Sequence, residues 1–263
     1  ELGEELGDET GAGTPVQPPA AKRKAGQEVR HVAVVALRLH GFEELARHVG
    51  GAQAKAVAER LKATFQEIAF KRNIRLDWSS GDGVFPEGYA VAGLLANPTG
   101  AAADAVWFAV DAHDVTQGAG ADLPTELAAR IGIVRGIASG SRDPGGHLVD
   151  AEVQPPALVL ADRLRDVAEP GVSLVAGGLY RLVRRDFLWG DVPTVEIDDA
   201  ESQGLPRNMR VYSLLRPLTR EEKLQEMTLA SSELVGRDAE LADLHAAYYG
   251  VVGATPGQGR SAT

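Results

Sequence analysis

The chain contains no cysteine. Disulfides, zinc–thiolate centres and thiol catalysis are therefore excluded. No apolar run reaches the roughly 18 residues that a membrane-spanning helix needs. No stretch reads as a signal peptide, so the expectation is a cytoplasmic protein. Basic residues are in the minority: 27 Lys and Arg stand against 37 Asp and Glu, a formal net charge of −10. That balance argues against a general binder of nucleic acid or of anionic membranes. Histidines at metal-ligand spacing are missing too. His40 and His147 have no second ligand at such spacing, and no histidine metal site is expected. No internal repeat is visible.

What remains is a chain of 263 residues, 44% hydrophobic, enough to bury a sizeable core. It starts at Glu1 rather than Met, so a piece of a longer protein is expected. Residues 1–28 are acidic first (Glu1, Glu4, Glu5, Asp8, Glu9), then rich in Gly and Pro, with Lys22, Arg23 and Lys24 near the end. This is the composition of a disordered linker.

From Val29 to Leu39 the sequence is nearly continuously apolar, which predicts a strand covered on both faces. Gly41 ends it. A short helix from Phe42 to Val49 is interrupted by Gly50 and Gly51. Val57, Leu61, Phe65 and Ile68 then mark one face of a long helix from Ala52 to Lys71. Apolar runs around Ile74 and Leu76, and from Val84 to Leu95, flank Ser79-Ser80-Gly81-Asp82-Gly83. That pattern predicts a hairpin with an acid at its tip. Asp82 has two readings there: ordinary turn chemistry, or a carboxylate that small neighbours leave open to a metal. A helix opening at Asn97-Pro98 and carrying Ala105, Phe108 and Ala112 follows. Leu127 to Ala138 reads as a central strand, and His147 to Val149 as a brief one. A helix from Pro155 to about Val167, a strand at Val172–Val175, a small helix with Tyr180 and Leu182, and strands near 194–197 and 210–215 complete the domain. Strands alternate with helices, but the hairpin makes at least one pair antiparallel. The expected fold is therefore α+β, an α/β sandwich of the ferredoxin-like type.

The order of these elements and several strings resemble the class III nucleotidyl (adenylate/guanylate) cyclase catalytic domain, over about Val29 to Leu215. Leu39-His40-Gly41-Phe42 resembles the end of that family's first strand, and Ser80-Gly81-Asp82-Gly83-Val84 its Gly-Asp hairpin. Arg130, Gly132, Ile133, Gly136 and Gly140 resemble its central strand. Ala161-Asp162-Arg163-Leu164 and Ala168-Glu169-Pro170-Gly171 resemble a later helix and its exit, and Leu179 to Val183 continues in register. The resemblance implies two Asp residues that hold two divalent metals, Mg or Mn with ATP or GTP as substrate. The first falls on Arg38 and the second on Asp82. It implies an Asn and an Arg, four residues apart, reaching in from the partner subunit; these fall on Val159 and Arg163. It implies purine selection at Trp78 and Glu152. A homodimer is implied as well.

A guanidinium cannot ligate a metal, and Asp82 alone would hold Mg²⁺ weakly. The expectation is thus a degenerate, non-catalytic homology domain that dimerises and senses a nucleotide or relays a signal, with Arg38 salt-bridged to Asp82. The alternative is an active cyclase using Asp82 with Glu87 or Asp77. Several residues also have plainer readings. Arg163 reads as a surface arginine, Trp78 as a core or interface aromatic, and Arg130 and Arg135 as phosphate binders or as partners of Glu126 and Asp143. After Leu215, a polar linker of helical character (217–231) leads to Ser232-Glu233-Leu234-Val235-Gly236-Arg237-Asp238-Ala239-Glu240-Leu241. This string resembles the entry to an AAA/STAND-type ATPase domain, expected to begin at 232 and to be cut short at 263. Gly257 to Ser261 lacks the apolar strand that delivers a phosphate loop and reads as a surface loop. The whole implies a multidomain bacterial-type signalling protein.

Overall fold

The apolar run near the start of the chain becomes β1 (Gln27–His40). Val32 to Leu37 are at most 2% exposed, because both faces of this strand are covered. The computed structural model describes residues 27–79, 86–95, 98–197, 207–230 and 238–252. After β1 come α1 (Phe42–Val49), α2 (Gly51–Lys71), β2 (Ile74–Trp78) and β3 (Glu87–Ala92). A single 3-10 turn, Pro98–Gly100, leads into α3 (Ala101–Gly120). Then follow β4 (Ala128–Arg142), β5 (Leu148–Val153), α4 (Pro155–Val167), β6 (Ser173–Ala176), α5 (Gly177–Val183) and β7 (Phe187–Asp191). The chain continues through β8 (Val195–Glu196), β9 (Asn208–Met209), β10 (Val211–Pro217), α6 (Arg220–Ala230) and α7 (Asp238–Val252).

The main sheet runs β2-β3-β1-β4-β6-β10-β7, with β5 paired to the far end of β4. Only β4 and β6 pair in parallel among the described strands. The result is the expected α+β architecture. The expected tip of the β2–β3 hairpin, with Asp82, lies outside the described residues. So do residues 1–26, the start of the expected first linker; β1 already begins at Gln27. The central strand extends four residues past its expected end, and β7 was not anticipated.

The sheet has two differently built faces. On one, Ala33, Val35, Leu37 and Leu39 of β1 meet Leu61 and Phe65 of α2 and Phe108 of α3 in a single apolar cluster. On the other, Val32, Val34 and Ala36 meet Ala157, Ala161 and Leu164 of α4. The period-two alternation of a strand sends neighbouring side chains to opposite faces. Pro155 occupies the first turn of α4, where its missing N–H leaves no bond unmade.

Two glycines fix how closely elements approach. Gly41, before α1, has φ 96°, and a Cβ there would run into the Glu126 carbonyl oxygen. Gly132 of β4 lies directly under α4. A Cβ there would run into the Ala161 carbonyl oxygen, and would lie 2.5 Å from the Arg165 amide nitrogen and 2.8 Å from Leu164 Cβ. The absence of a side chain is what lets α4 settle onto the sheet.

At the C-terminal side, Lys223 of α6 is ion-paired to Asp186 at 2.8 Å. Glu222 takes two bonds from Arg216, at 2.7 and 2.8 Å, and one from the Thr219 amide. These hold its carboxyl far below the usual range, at about 2, with the Arg216 bond contributing most. The 217–231 segment is therefore helical over most of its length, in line with its sequence. Asp238 opens α7.

Candidate functional site

Arg38, near the end of β1, points toward the α4 face by strand alternation. Its cross-strand partners are Glu87 on β3 and Arg130 on β4. Two arginines directly opposite one another on the same face repel. Carboxylates answer that repulsion for Arg38. Its Nε donates to Glu87 Oε2 at 2.8 Å, and its Nη1 lies 3.4 Å from Asp166 Oδ1 on α4. Asp82, the partner expected from sequence, lies outside the described residues.

A second arginine, Arg165, sits at the centre of the same cluster. It is only 7% exposed. Its guanidinium reaches Asp162 at 2.7 Å, Asp166 at 3.0 Å and Glu87 at 3.8 Å. Burial works against its charge, but the three carboxylates outweigh burial and hold its pKa above the ordinary guanidinium value. The Tyr89 hydroxyl donates to the other oxygen of Asp162 at 2.5 Å. Burial first, and then that anionic acceptor, push the Tyr89 pKa up to about 12. The cluster ties β1 and β3 to α4.

Arg130 differs from its two neighbours. Its Nε is buried without a hydrogen-bond partner. Among the described residues neither it nor Arg135 pairs with Glu126 or Asp143. Asp143 is instead bonded to His147, which lowers its pKa. The expectation of structural ion pairs for Arg130 and Arg135 is corrected to that extent.

The other sequence candidates are spread around α4 and the sheet. Arg163 lies two residues before Arg165, about 200° around α4 from the sheet-facing Ala161 at ~100° per residue, and so points away from the sheet. Its Nε donates to the Glu196 carbonyl at 3.2 Å. Val159 is half-buried one turn earlier. Glu152 is exposed on β5, opposite Ser139. Trp78 lies on the other face of the sheet from Arg38, with Phe65 at 5.9 Å edge-on and Lys62 over its ring. Ile74, Leu76 and Trp78 share that face by strand alternation.

Glu87 and Asp77, the candidate extra ligands, both face α4, and each is engaged. Glu87 binds Arg38, and Asp77 lies 3.0 Å from the Arg75 guanidinium. A pair of divalent cations needs carboxylate oxygens in excess of local positive charge. Here Glu87, Asp162 and Asp166 are matched by Arg38 and Arg165, with Arg130 adjacent. Among the described residues no three acidic or imidazole side chains converge as a metal site. The described residues around Arg38 do not by themselves supply the metal pair that the resemblance implies.

No family model matches the sequence, and no curated protein matches it. The structure does find neighbours. The guanylate cyclase domain of RhGC from Catenaria anguillulae, in complex with GTP, matches with TM-score 0.57 at 17% identity, over 73% of this chain and 100% of that one. The fold is that of nucleotidyl cyclase catalytic domains. Adenylyl cyclase CyaB from P. aeruginosa matches with TM-score 0.57 at 17% identity, over 74% of this chain and 97% of its own. A non-canonical dimeric guanylyl cyclase domain of the RhoGC fusion protein from Blastocladiella emersonii matches with TM-score 0.56 at 17% identity, over 74% of this chain and 100% of that one. That fungal domain also has a monomeric crystal structure. Within this fold, Gly132 and Gly136 of the β4 string form the floor on which α4 rests, while Gly140 lies against β5. Among the described residues, no helix is long and apolar enough to cross a membrane.

Sequence reading placed Arg165 on the same short helix as Arg163 and Asp162 without a role, and missed Asp166 and Tyr89. One signal was available. Arg165 falls four residues after Ala161, on the sheet-facing stripe, so a charge there needed partners.

Proposed function

We propose that this chain is a nucleotidyl cyclase homology domain that has lost cyclase chemistry and serves as a dimerising, nucleotide-sensing module of a cytoplasmic multidomain signalling protein. One observation carries the reading. The position where the resemblance puts a metal-binding Asp is Arg38, and its guanidinium is bonded to Glu87 and Asp166. A cation supplied by the chain thus takes the place of a bound one. Arg130 supports the sensing half, because an unpaired guanidinium nitrogen beside Arg38 suits a phosphate. Glu152 and Arg163 remain the candidates for contacting purine and phosphate across a dimer. Trp78, turned toward Phe65, is proposed as a packing residue. The dimer of the fungal neighbour supports a homodimer here. The Val235-Gly236-Arg237 string supports an ATPase domain downstream as the recipient of the signal.

Calorimetric titration with ATP and GTP, with and without Mg²⁺ or Mn²⁺, tests this, with cyclic nucleotide assayed on the same samples. Metal-independent binding without product is expected. No binding would remove the sensing role and leave an assembly module. Metal-dependent cyclic product that disappears in Asp82→Ala would overturn the reading in favour of an active cyclase.

A further inference from the structure

A notch of about 500 Å³ opens where β6 stops at Ala176 while its parallel neighbour β4 runs on to Arg142. It lies on the opposite flank of α4 from the Arg38 cluster. Leu160 lines it, whereas Asp162 and Asp166, roughly 200° and more around the helix at ~100° per residue, face Arg38.

Three guanidinium groups line this one cavity: Arg135 from β4, Arg181 from α5 and Arg210 just before β10. Among the described residues, no carboxylate lines it. Arg135 and Arg181 are exposed and pair with no acid among the described residues. The Arg210 guanidinium lies 5.7 Å over the Tyr212 ring, which is stacked on Tyr180 at 3.6 Å and 10°. Arg210 therefore rests on a two-ring platform rather than on a counter-ion. Such an arrangement is unusual for a chain with a net charge of −10. Like charges sharing a cavity raise the free energy of the empty state and make an anion the natural occupant. Leu160 and Met209 give the same cavity an apolar wall. The volume is in the range of small-molecule sites, roughly 300–1,000 Å³.

We propose that this notch binds a small phosphorylated organic molecule. Its phosphate groups lie among Arg135, Arg181 and Arg210, and its apolar part against Leu160 and Met209. Guanidinium forks bind phosphate oxygens in pairs. The site is separate from the cleft at Arg38 and does not depend on the cyclase reading.

The test uses the 263-residue chain and metal-free titrations with three probes: inorganic phosphate, pyrophosphate and phenyl phosphate. Pyrophosphate is expected to bind, more weakly as salt rises. Arg135→Gln with Arg181→Gln should weaken it by about a hundredfold, since each charge-assisted bond is worth roughly a factor of ten. Arg60→Gln, at an exposed position of α2 remote from both sites, should leave it unchanged. Phenyl phosphate should bind more tightly than inorganic phosphate. Arg181→Gln alone, at an exposed helix position, should give a smaller loss of the same kind if the double change disturbs folding. Absence of pyrophosphate binding would overturn the proposal. So would binding that survives the notch substitutions and is lost with Arg130→Gln, because the anion would then belong to the cleft. Phenyl phosphate binding no tighter than phosphate would remove the organic part of the ligand.

Discussion

The two faces of the sheet are held by different physics. The helical face is a continuous apolar cluster, in which Phe65, Phe108 and Leu37 have no exposed surface. The α4 face has a smaller apolar strip, a glycine floor, and a rim of interlocked guanidinium and carboxylate groups. Apolar burial is indifferent to salt and pH, whereas ion pairs are not. The face that carries charge is the one that Arg38 and Arg165 share. The positive charge there is supplied by the chain itself, and it binds the helix to the sheet.

The sharpest contrast comes from the largest effect. Phe108→Ala should cost about 3–5 kcal/mol, the usual range for emptying a fully buried aromatic site. Denaturant melts should show a loss that is the same at low and high salt. Gly132→Ala should cost roughly 3 kcal/mol, at the upper end for overpacking, because the added methyl meets the α4 backbone and not a movable side-chain tip. A melt showing no loss for Gly132→Ala would mean that α4 can lift without consequence. Arg165→Met comes third. It leaves Asp162 and Asp166 without their main partner, which for a fully buried cluster costs ~3–5 kcal/mol. Both acids are partly exposed, at 31% and 45% of their side-chain surface, so water offsets part of that. A loss of about 2 kcal/mol is expected, shrinking as salt screens the stranded acids. If Phe108→Ala were salt-sensitive and Arg165→Met were not, the contrast between the faces would collapse.

Much of this fold was legible because strand and helix periods leave a trace. The apolar run of β1 announced a strand covered on both sides. Gly50 and Gly51 marked the break between α1 and α2, and Pro155 marked the start of α4. The short strand β7 was not legible. Phe187-Leu188-Trp189 carries strand-forming side chains, but the run is only three residues long between Asp186 and Gly190; it is held as a strand by pairing with β10. The site was legible only in part. Arg38 stood out because it interrupts an apolar strand where a resemblance predicted an acid. Its described partners, Glu87 and Asp166, lie 49 and 128 residues away in sequence, and no local pattern specifies contacts at such range. The facing of Trp78 was recoverable from its spacing with Ile74 and Leu76. The acid cluster around Arg165 needed the helix to be docked first.

The apolar face also carries a buried histidine, and it gives the smallest and most conditional effect. His113 of α3 faces Ser173 of β6, with Nε2 2.7 Å from the hydroxyl, and Ser173 is fully buried. Burial lowers the His113 pKa below its ordinary value of 6.5, while the nearby Asp114 opposes that only in part. The neutral ring is therefore the folded form. As pH falls through 6.5, the unfolded chain takes up a proton that the folded chain resists, so stability drops. It stops dropping once the folded-state pKa is passed. For one group the slope cannot exceed about 1.4 kcal/mol per pH unit. His113→Gln keeps a hydrogen-bonding group opposite Ser173 and removes the titration. Its melting curve should flatten just below pH 6.5 relative to the unaltered chain, even if its stability at neutral pH is lower. An identical pH dependence in the variant would place the acid sensitivity elsewhere, in the carboxylates of the α4 face.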